Sequence, residues 1–326
     1  MSPKDQLTSV SFIMPVLNEE KHLASAVKSI FEQKGLDIAK SEVILALGPS
    51  TDDTNTVAHG LKTQYPVILV QNPTGKTPAG LNAAIKAASK DVVVRVDAHS
   101  QLSPDYTVLA IEILNKTKAA NVGGVMKAVG DTPFQKAVAW GYGSRFGLGG
   151  GSFHVGGQAG PSDSVYLGVF RRSALNELNG FNEKMIRGQD WELNLRIRES
   201  GQIVWFDPRL EVVYKPRSSL KALIKQFFDT GIWRAELTRT HISRANLRYF
   251  APPIMVLTTL MGVLAAALNV GGLLGLIPLS TYLSAVLLIS ITAKASLATK
   301  LNILIALPAM HFSWGLGFIT GLFQKR

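Results

Sequence analysis

DVVVRVDAHS, residues 91–100, is the stretch that decides the fold. Asp91–Val96 is a short, valine-rich run with the length and composition of a buried strand. It stops abruptly on polar residues, Asp97 to Ser100. The same pattern recurs upstream. Ser9–Met14, Glu42–Leu47 and Val67–Gln71 read as three more buried strands. Helical stretches lie between them. Asn18 is placed to cap a helix whose apolar stripe is Leu23, Val27, Ile30 and Phe31, and Pro78–Ser89 carries Leu81 and Ile85 on one face. Strands that alternate with helices predict βαβ units, hence an α/β, Rossmann-like, mostly parallel sheet. Such sheets bind ligands beyond the carboxyl ends of their strands. The candidates are therefore the polar residues after each strand: Asn18 and Glu19, Ser50 to Asp53, Asn72 to Thr77, and Asp97 to Ser100.

Three segments carry chemistry. Asp97 and His99, two residues apart just past a strand, can face one ligand and hold Mn²⁺ or Mg²⁺ against a diphosphate; the imidazole suits Mn²⁺ better. The plainer alternative is a turn cap beside a surface histidine. In GQDWELNLRIRESG, residues 188–201, Leu193 and Ile197 give helical spacing, and Asp190 falls at the helix N-terminus. A carboxylate there can act as general base toward a hydroxyl. Alternatively it is an N-cap, with Glu192, Arg196 and Arg198 in surface pairs. In NPTGKTPAGLN, residues 72–82, Lys76 and the amides around Gly75 can contact phosphates, although the P-loop spacing is missing and a plain turn would have the same residues. The glycine-rich run Gly141–Gly160 reads as a lid rather than a packed helix.

The second half of the chain changes character. Of the 326 residues, 47% are hydrophobic and 17% charged, and no Asp or Glu follows Ala251. Three apolar stretches, Ala251–Leu268, Leu273–Ala293 and Leu301–Phe323, approach the ~20 residues of a spanning helix. We expect three spans, with a tight turn at Asn269–Gly272; Pro308 could make the third re-entrant. Lys294 and Lys300 place their loop on the cytoplasmic side. Just before the tail, Lys215, Arg217, Lys221, Lys225, Arg234, Arg239, Arg244 and Arg248 face only Asp229 and Glu236. Leu220, Leu223, Ile224, Phe227 and Phe228 recur there at helical spacing. This predicts an amphipathic helix on an anionic membrane. No nucleic-acid motif accompanies the charge of +11, so nucleic acid is not an expected partner. The N-terminus MSPKDQLTSV lacks the apolar core of a signal peptide, and there is no Cys. The expected division is 1–213 catalytic, 214–250 interfacial and 251–326 transmembrane, with the first part cytoplasmic at the inner or plasma membrane.

The order of these motifs resembles family 2 glycosyltransferases of GT-A fold, and within them the succinoglycan-biosynthesis glucosyltransferase (ExoA-like) branch. The resemblance is carried by Thr77–Asn82, Val94–His99, Phe146–Gly157, Val165–Arg172, Arg187–Gly201 and Asp207–Leu220. It implies that Pro15, Leu17 and Glu19 line the nucleotide pocket, that Asp52 helps bind base or ribose, and that Lys76 lies near the diphosphate. Asp97 stands where the family's D-x-D metal site begins and His99 where its second acid sits. Asp190 matches the catalytic base, with Gln189 replacing the usual Glu. His154, Gln189, Trp191, Trp233 and Arg234 are acceptor or lid candidates; Gln226, Trp233 and Arg234 resemble, at altered spacing, the Q-x-x-R-W element of membrane-bound relatives. Leu47 departs from the family, which usually has there an Asp that reads uracil. The implied activity is inverting transfer of a hexose, glucose from a UDP-sugar, to a lipid-linked saccharide in exopolysaccharide or cell-envelope synthesis. Polyprenyl phosphate as direct acceptor is the alternative, and an inactive nucleotide-sugar-binding membrane scaffold a more distant one.

Overall fold

The computed structural model describes residues 8–240 and 247–324, without the side chains of residues 247 and 248. In chain order the elements are β1 (Val10–Val16), α1 (Leu23–Phe31), β2 (Ser41–Leu47), α2 (Thr54–Gln64), β3 (Val67–Gln71), α3 (Thr77–Ala87), β4 (Val92–Arg95), β5 (Gln101–Leu102), α4 (Tyr106–Thr117), β6 (Asn121–Ala128), α5 (Pro133–Tyr142), α6 (Ser152–Val155), β7 (Gly160–Pro161), β8 (Tyr166–Arg171), α7 (Arg172–Glu177), α8 (Gln189–Glu199), β9 (Val204–Tyr214), α9 (Leu220–Thr240), α10 (Ala251–Ala267), α11 (Ile277–Thr292) and α12 (Leu297–Phe323). They fall into two compact units, residues 1–127 with 151–214, and residues 128–150 with 215–326.

The first unit is built on one sheet of order β3-β2-β1-β4-β8-β6-β9-β5, with β7 beside β9. The strands β3, β2, β1 and β4 run parallel, as the βαβ pattern predicts. Beyond β4 the pairings of β8 with β4 and β6, and of β9 with β5 and β7, are antiparallel, so the sheet is mixed. The strands are buried on both faces because helices cover both. In β1, Phe12, Met14 and Val16 turn to one core with Leu23, Val27 and Ile30 of α1, while Ile13 turns to the other with Leu81 and Ile85 of α3 and Leu193 and Ile197 of α8. That is the period of two expected of a strand.

Asn18 does not cap α1. It takes a left-handed conformation (φ 55°), and its Oδ1 accepts the Thr51 N–H at 2.8 Å. It therefore ties the loop after β1 to the loop after β2, and the helix starts at Leu23 with His22 in the N-cap position.

The second unit is helical. Within the glycine-rich region, α5 continues to Tyr142, started by a capping box between Thr132 and Gln135, and α6 forms a short helix. A purely open lid is thus not what forms there. Helix α5 packs within the second unit: the Tyr142 ring stands edge-on to Phe227 of α9 at 5.9 Å, and a Cβ at Gly141 would touch Met310 of α12 at 3.0 Å. Helix α12 runs unbroken through Pro308, so no re-entrant break occurs. Among the described residues, two segments are long and apolar enough to cross a membrane, Gly272–Thr292 and Leu297–Phe323. Helix α10, with 17 residues, spans only about 25 Å at 1.5 Å per residue. The predicted turn is present, with Asn269, Gly271 and Gly272 all at positive φ. In α9 the predicted stripe divides: Leu223 and Phe227 are buried, whereas Leu220 and Ile224 stay exposed. Arg244, Lys325 and Arg326, the side chain of Arg248, and residues 1–7 lie outside the described residues.

Candidate active site

The loops after β1, β2 and β3 converge at the carboxyl edge of the parallel strands. A Cβ at Gly48 would lie 3.0 Å from Leu17 Cδ1 and 3.3 Å from Gly75 Cα, so a larger residue there would have to push these loops apart by a few tenths of an ångström. A Cβ at Gly80 would meet the Asn72 amide and Pro15 Cβ, which holds α3 hard against the end of β1. Leu17 thus lies beside Gly48 and Gly75, and Pro15 against the first turn of α3, which follows Lys76. Lys76 is exposed in the N-cap position of α3, after Gly75 at φ +63°. Asp52 is occupied with its own loop. Its carboxylate accepts Thr54 Oγ1–H at 2.5 Å, Thr54 N–H at 3.1 Å and Glu20 N–H at 3.3 Å. The Thr54 hydroxyl above all holds its pKa below the usual aspartate range. Leu47 is buried in the core.

The centre of the site is a residue to which the sequence reading assigns no role. Arg95, the last residue of β4, donates to Asp97 Oδ1 from Nη2 at 3.0 Å and from Nε at 3.3 Å, and from Nη1 to Asp190 Oδ1. The Arg95 side chain is 5% exposed, Asp97 20% and Asp190 35%, so the arginine lies beneath two carboxylates that open outward. Burial works against the charge of Arg95, but Asp190 and then Asp97 more than offset it and push its pKa up. Burial raises the pKa of Asp190 above the usual aspartate value; Arg95 opposes this and Asp97 adds to it. Tyr166 belongs to the same group. Its phenol is pushed well up, by burial first and by the charge of Asp97 second.

Asp190 lies in the first turn of α8, whose N-cap position is filled by Gly188 at φ 77°, so Asp190 is not the cap. Glu192 and Arg196 are not surface groups either: Arg196 Nε donates to Glu192 at 2.8 Å, and its other nitrogens donate to the carbonyls of Leu178 and Gly180. His99 Nδ1 lies 2.8 Å from Glu19 Oε1, which joins the ends of β4 and β1. Gln189 is buried and Trp191 half-buried on α8; the His154 ring, on α6, lies tilted by 43° against Phe153 at 4.2 Å. Trp233 and Arg234 belong to the second unit, where Arg234 lies over the Tyr249 ring at 4.4 Å. The structure thus joins Asp97, Asp190 and His99–Glu19 to the β1–β3 loops within one unit.

Residues 11–178 match the family described as Glycosyl transferase family 2. The chain belongs to that family. It is a glycosyltransferase. It is similar over nearly its whole length to the succinoglycan biosynthesis protein ExoA of Rhizobium meliloti (strain 1021), at 29% identity over 329 residues, covering 99% of this chain and 98% of that one. It is also similar to the dolichyl N-acetyl-α-D-glucosaminyl phosphate 3-β-D-2,3-diacetamido-2,3-dideoxy-β-D-glucuronosyltransferase of Methanococcus voltae, at 26% identity, covering 97% of each. Among solved structures, the mannosyltransferase PcManGT of Pyrobaculum calidifontis, in complex with GDP-Man and Mn²⁺, superposes with TM-score 0.61 at 20% identity, covering 97% of this chain and 88% of that one. TarS residues 1–349 of S. aureus superposes with TM-score 0.52 at 16% identity, covering 93% and 80%. These likenesses establish the GT-A fold.

Proposed function

We propose that the protein is a membrane-bound inverting hexosyltransferase that moves a sugar from a nucleotide-diphosphate donor to a lipid-linked saccharide. The observation that carries this reading is the pair Asp97 and Asp190, brought to one buried arginine at the carboxyl edge of the parallel strands. Asp190 is the base: its carboxylate takes the proton of the acceptor hydroxyl, which attacks the anomeric carbon opposite the departing diphosphate. Burial in the floor of the site makes it a stronger base than a solvated aspartate. The donor lies over Pro15, Leu17, Gly48 and Gly75, with Lys76 beside the phosphates. Asp52 supports this pocket by bracing the loop after β2.

The residues present fit a divalent cation. Among the described residues no group of three or more His, Cys, Asp and Glu could hold a metal alone. Asp97 and His99 supply one carboxylate and one imidazole, and a cation bound by few protein groups completes its shell with phosphate oxygens and water. The set suits Mn²⁺. When bound, the ion neutralises charge on the diphosphate leaving group. Glu19 holds the His99 ring in one orientation, as a carboxylate commonly does beside a ligating histidine.

The lipid-linked acceptor follows from the apolar helices of the second unit and from the M. voltae relative, whose name specifies a dolichyl-linked N-acetylglucosaminyl phosphate acceptor. The basic face of α9 and its exposed Leu220 and Ile224 would rest on anionic headgroups. A panel of UDP-glucose, UDP-galactose, UDP-N-acetylglucosamine and GDP-mannose, with polyprenyl-diphosphate hexose in phosphatidylglycerol vesicles and with or without Mn²⁺, tests the reading. We expect one donor to give a longer lipid-linked saccharide only with the cation. Transfer to bare polyprenyl phosphate, and not to its glycosylated form, would overturn the acceptor class.

A further inference from the structure

We propose that Arg95 is a positioning residue of the transfer reaction: by engaging the inner oxygen, Oδ1, of both Asp97 and Asp190, it presents their outer oxygens, Oδ2, to donor and acceptor in fixed register. The proposal rests on the reading of Asp190 as base. Three observations carry it. First, three N–H groups of Arg95 go to the two carboxylates, and its hydrogen bonds reach no backbone carbonyl. Arg196 provides the contrast. It holds Glu192 and two carbonyls, the pattern of an arginine that fastens chain to chain. Second, among the described residues no other hydrogen bond falls on the carboxylate of Asp97 or of Asp190. Each Oδ2 is therefore without a protein hydrogen-bond partner, on side chains that are 20% and 35% exposed while Arg95 is 5% exposed. Third, the base of the arginine is rigid. Arg95 pairs with Ile13 in the parallel β1–β4 ladder, between the two cores of the sheet.

A planar guanidinium suits this task because its donors are fixed in one fork. An ammonium could neutralise the same charge but would not set the angle between two carboxylates. Neutralisation alone would need one partner; this arginine has two, 2 and 95 residues away in the chain. They are the residues proposed to face the donor diphosphate and the acceptor hydroxyl. Arg95 so fixes the spacing between the two halves of the reaction.

The test uses the full-length protein in vesicles with the donor that gives turnover in the panel above. Arg95→Met, Arg95→Lys, Asp190→Asn and the double variant Arg95→Met/Asp190→Asn are compared for kcat, for donor KM, and for binding of the nucleoside diphosphate with Mn²⁺. We expect Arg95→Met to lower kcat about 10²-fold, the cost of a misplaced group, with donor KM and nucleotide affinity changed far less. Arg95→Lys should recover part of the loss. In the Asp190→Asn background, Arg95→Met should cost clearly less than in the parent, because one of the two groups it positions no longer acts and only the placement of Asp97 is left to lose. Fully multiplicative losses in the double variant would show that Arg95 serves only the fold, and overturn the proposal. So would an Arg95→Met enzyme with parental kcat beside an inactive Asp190→Asn. Should Arg95→Met fail to fold, Arg95→Lys decides: it keeps the charge and loses the fork, and parental kcat there overturns the proposal. Parental turnover in Asp190→Asn would overturn the reading of the base itself, and this proposal with it.

Discussion

The two units of the chain solve opposite problems. The first buries large apolar side chains, Phe12, Met14, Ile44 and Leu81 among them, and among its few buried charges is Arg95, held between two carboxylates. The second also buries large side chains, Phe227, Met310 and Phe318 among them, but it packs its helices through small residues and leaves many large ones exposed. A Cβ at Gly231 of α9 would strike the Trp314 carbonyl of α12, one at Gly317 the Phe228 carbonyl, and one at Gly321 the Ile232 carbonyl, so these two helices touch backbone to backbone. Meanwhile Met261, Leu273, Leu288, Leu297 and Phe323 are 63% to 84% exposed. Water drives apolar burial in the first unit; in the lipid proposed around the second that drive would be absent, and close packing through small residues would take its place. The comparison teaches that the solvent, more than the helix or strand content, sets which side chains lie inside.

The largest expected effect breaks the first unit's chemistry without breaking its fold. Asp190→Asn should bind donor normally and lose about 10²–10⁴-fold in transfer, the usual contribution of a general base; single-turnover assay with radiolabelled donor measures it. The same variant sharpens the energetics. The pKa of Asp190 is raised in the folded state, so its ionised form opposes folding above the unfolded value and not below it. Asp190→Asn should therefore melt higher than the parent at neutral pH, and the gap should close below about pH 4. A lower melting temperature at pH 7 would mean that the ion pair with Arg95 outweighs burial. For the parent enzyme, kcat should fall with acidification at a pH above the ordinary aspartate range, and a limb at or below that range would contradict the burial argument.

Next in size is Asp97→Ala, which should lower kcat/KM by about 10²-fold, as loss of one electrostatic contact to a leaving group does, and weaken nucleoside-diphosphate binding in the presence of Mn²⁺. Full activity after EDTA treatment would remove Asp97 and His99 from the cation. Gly317→Leu probes the second unit. It forces a side chain into the Phe228 backbone and should cost about 1–3 kcal/mol, as overpacking does, read as a lower melting temperature in vesicles. Leu273→Ser is the control: at an 82% exposed site it removes no packing and should shift the melting temperature far less than Gly317→Leu. The smallest effect concerns the membrane surface. Replacing Lys221 and Lys225 by Gln should weaken binding to anionic vesicles by roughly 1 kcal/mol per charge, with salt reducing the difference. Unchanged transfer to long-chain acceptor at low salt would show that α9 does not bring the site to the headgroups.

Particular residues show how far the sequence could be read. The four parallel strands were legible because each is a short apolar run closed by polar residues, and Asp97 and Asp190 because carboxylates at a strand end and in a first helical turn are readable from local pattern. Arg95 was passed over, although its signal is in plain view: one charge inside Val92–Val96 must find a partner when that strand is buried. Asn18 was assigned to a cap because local preference favours it, and the loop after β2 outbid the helix for its side chain. Helix α5 was not read from the sequence, and its place beside the C-terminal helices comes from Gly141 packing on α12.

What the sequence alone determined is whatever depends on near neighbours: strand and helix order, the acid-free apolar tail, the basic stretch before it, and the family motifs. The tertiary structure decided what depends on distant ones. It turned a parallel half-sheet into a mixed one by placing β8 beside β4. It assigned residues 128–150 to the unit of the C-terminal helices. It brought Asp190 to an arginine 95 residues away. The physical reason is the same in each case. A residue's pattern records whether it will be buried, but a buried charge or a bare glycine backbone is completed by a partner whose position only the closed fold supplies.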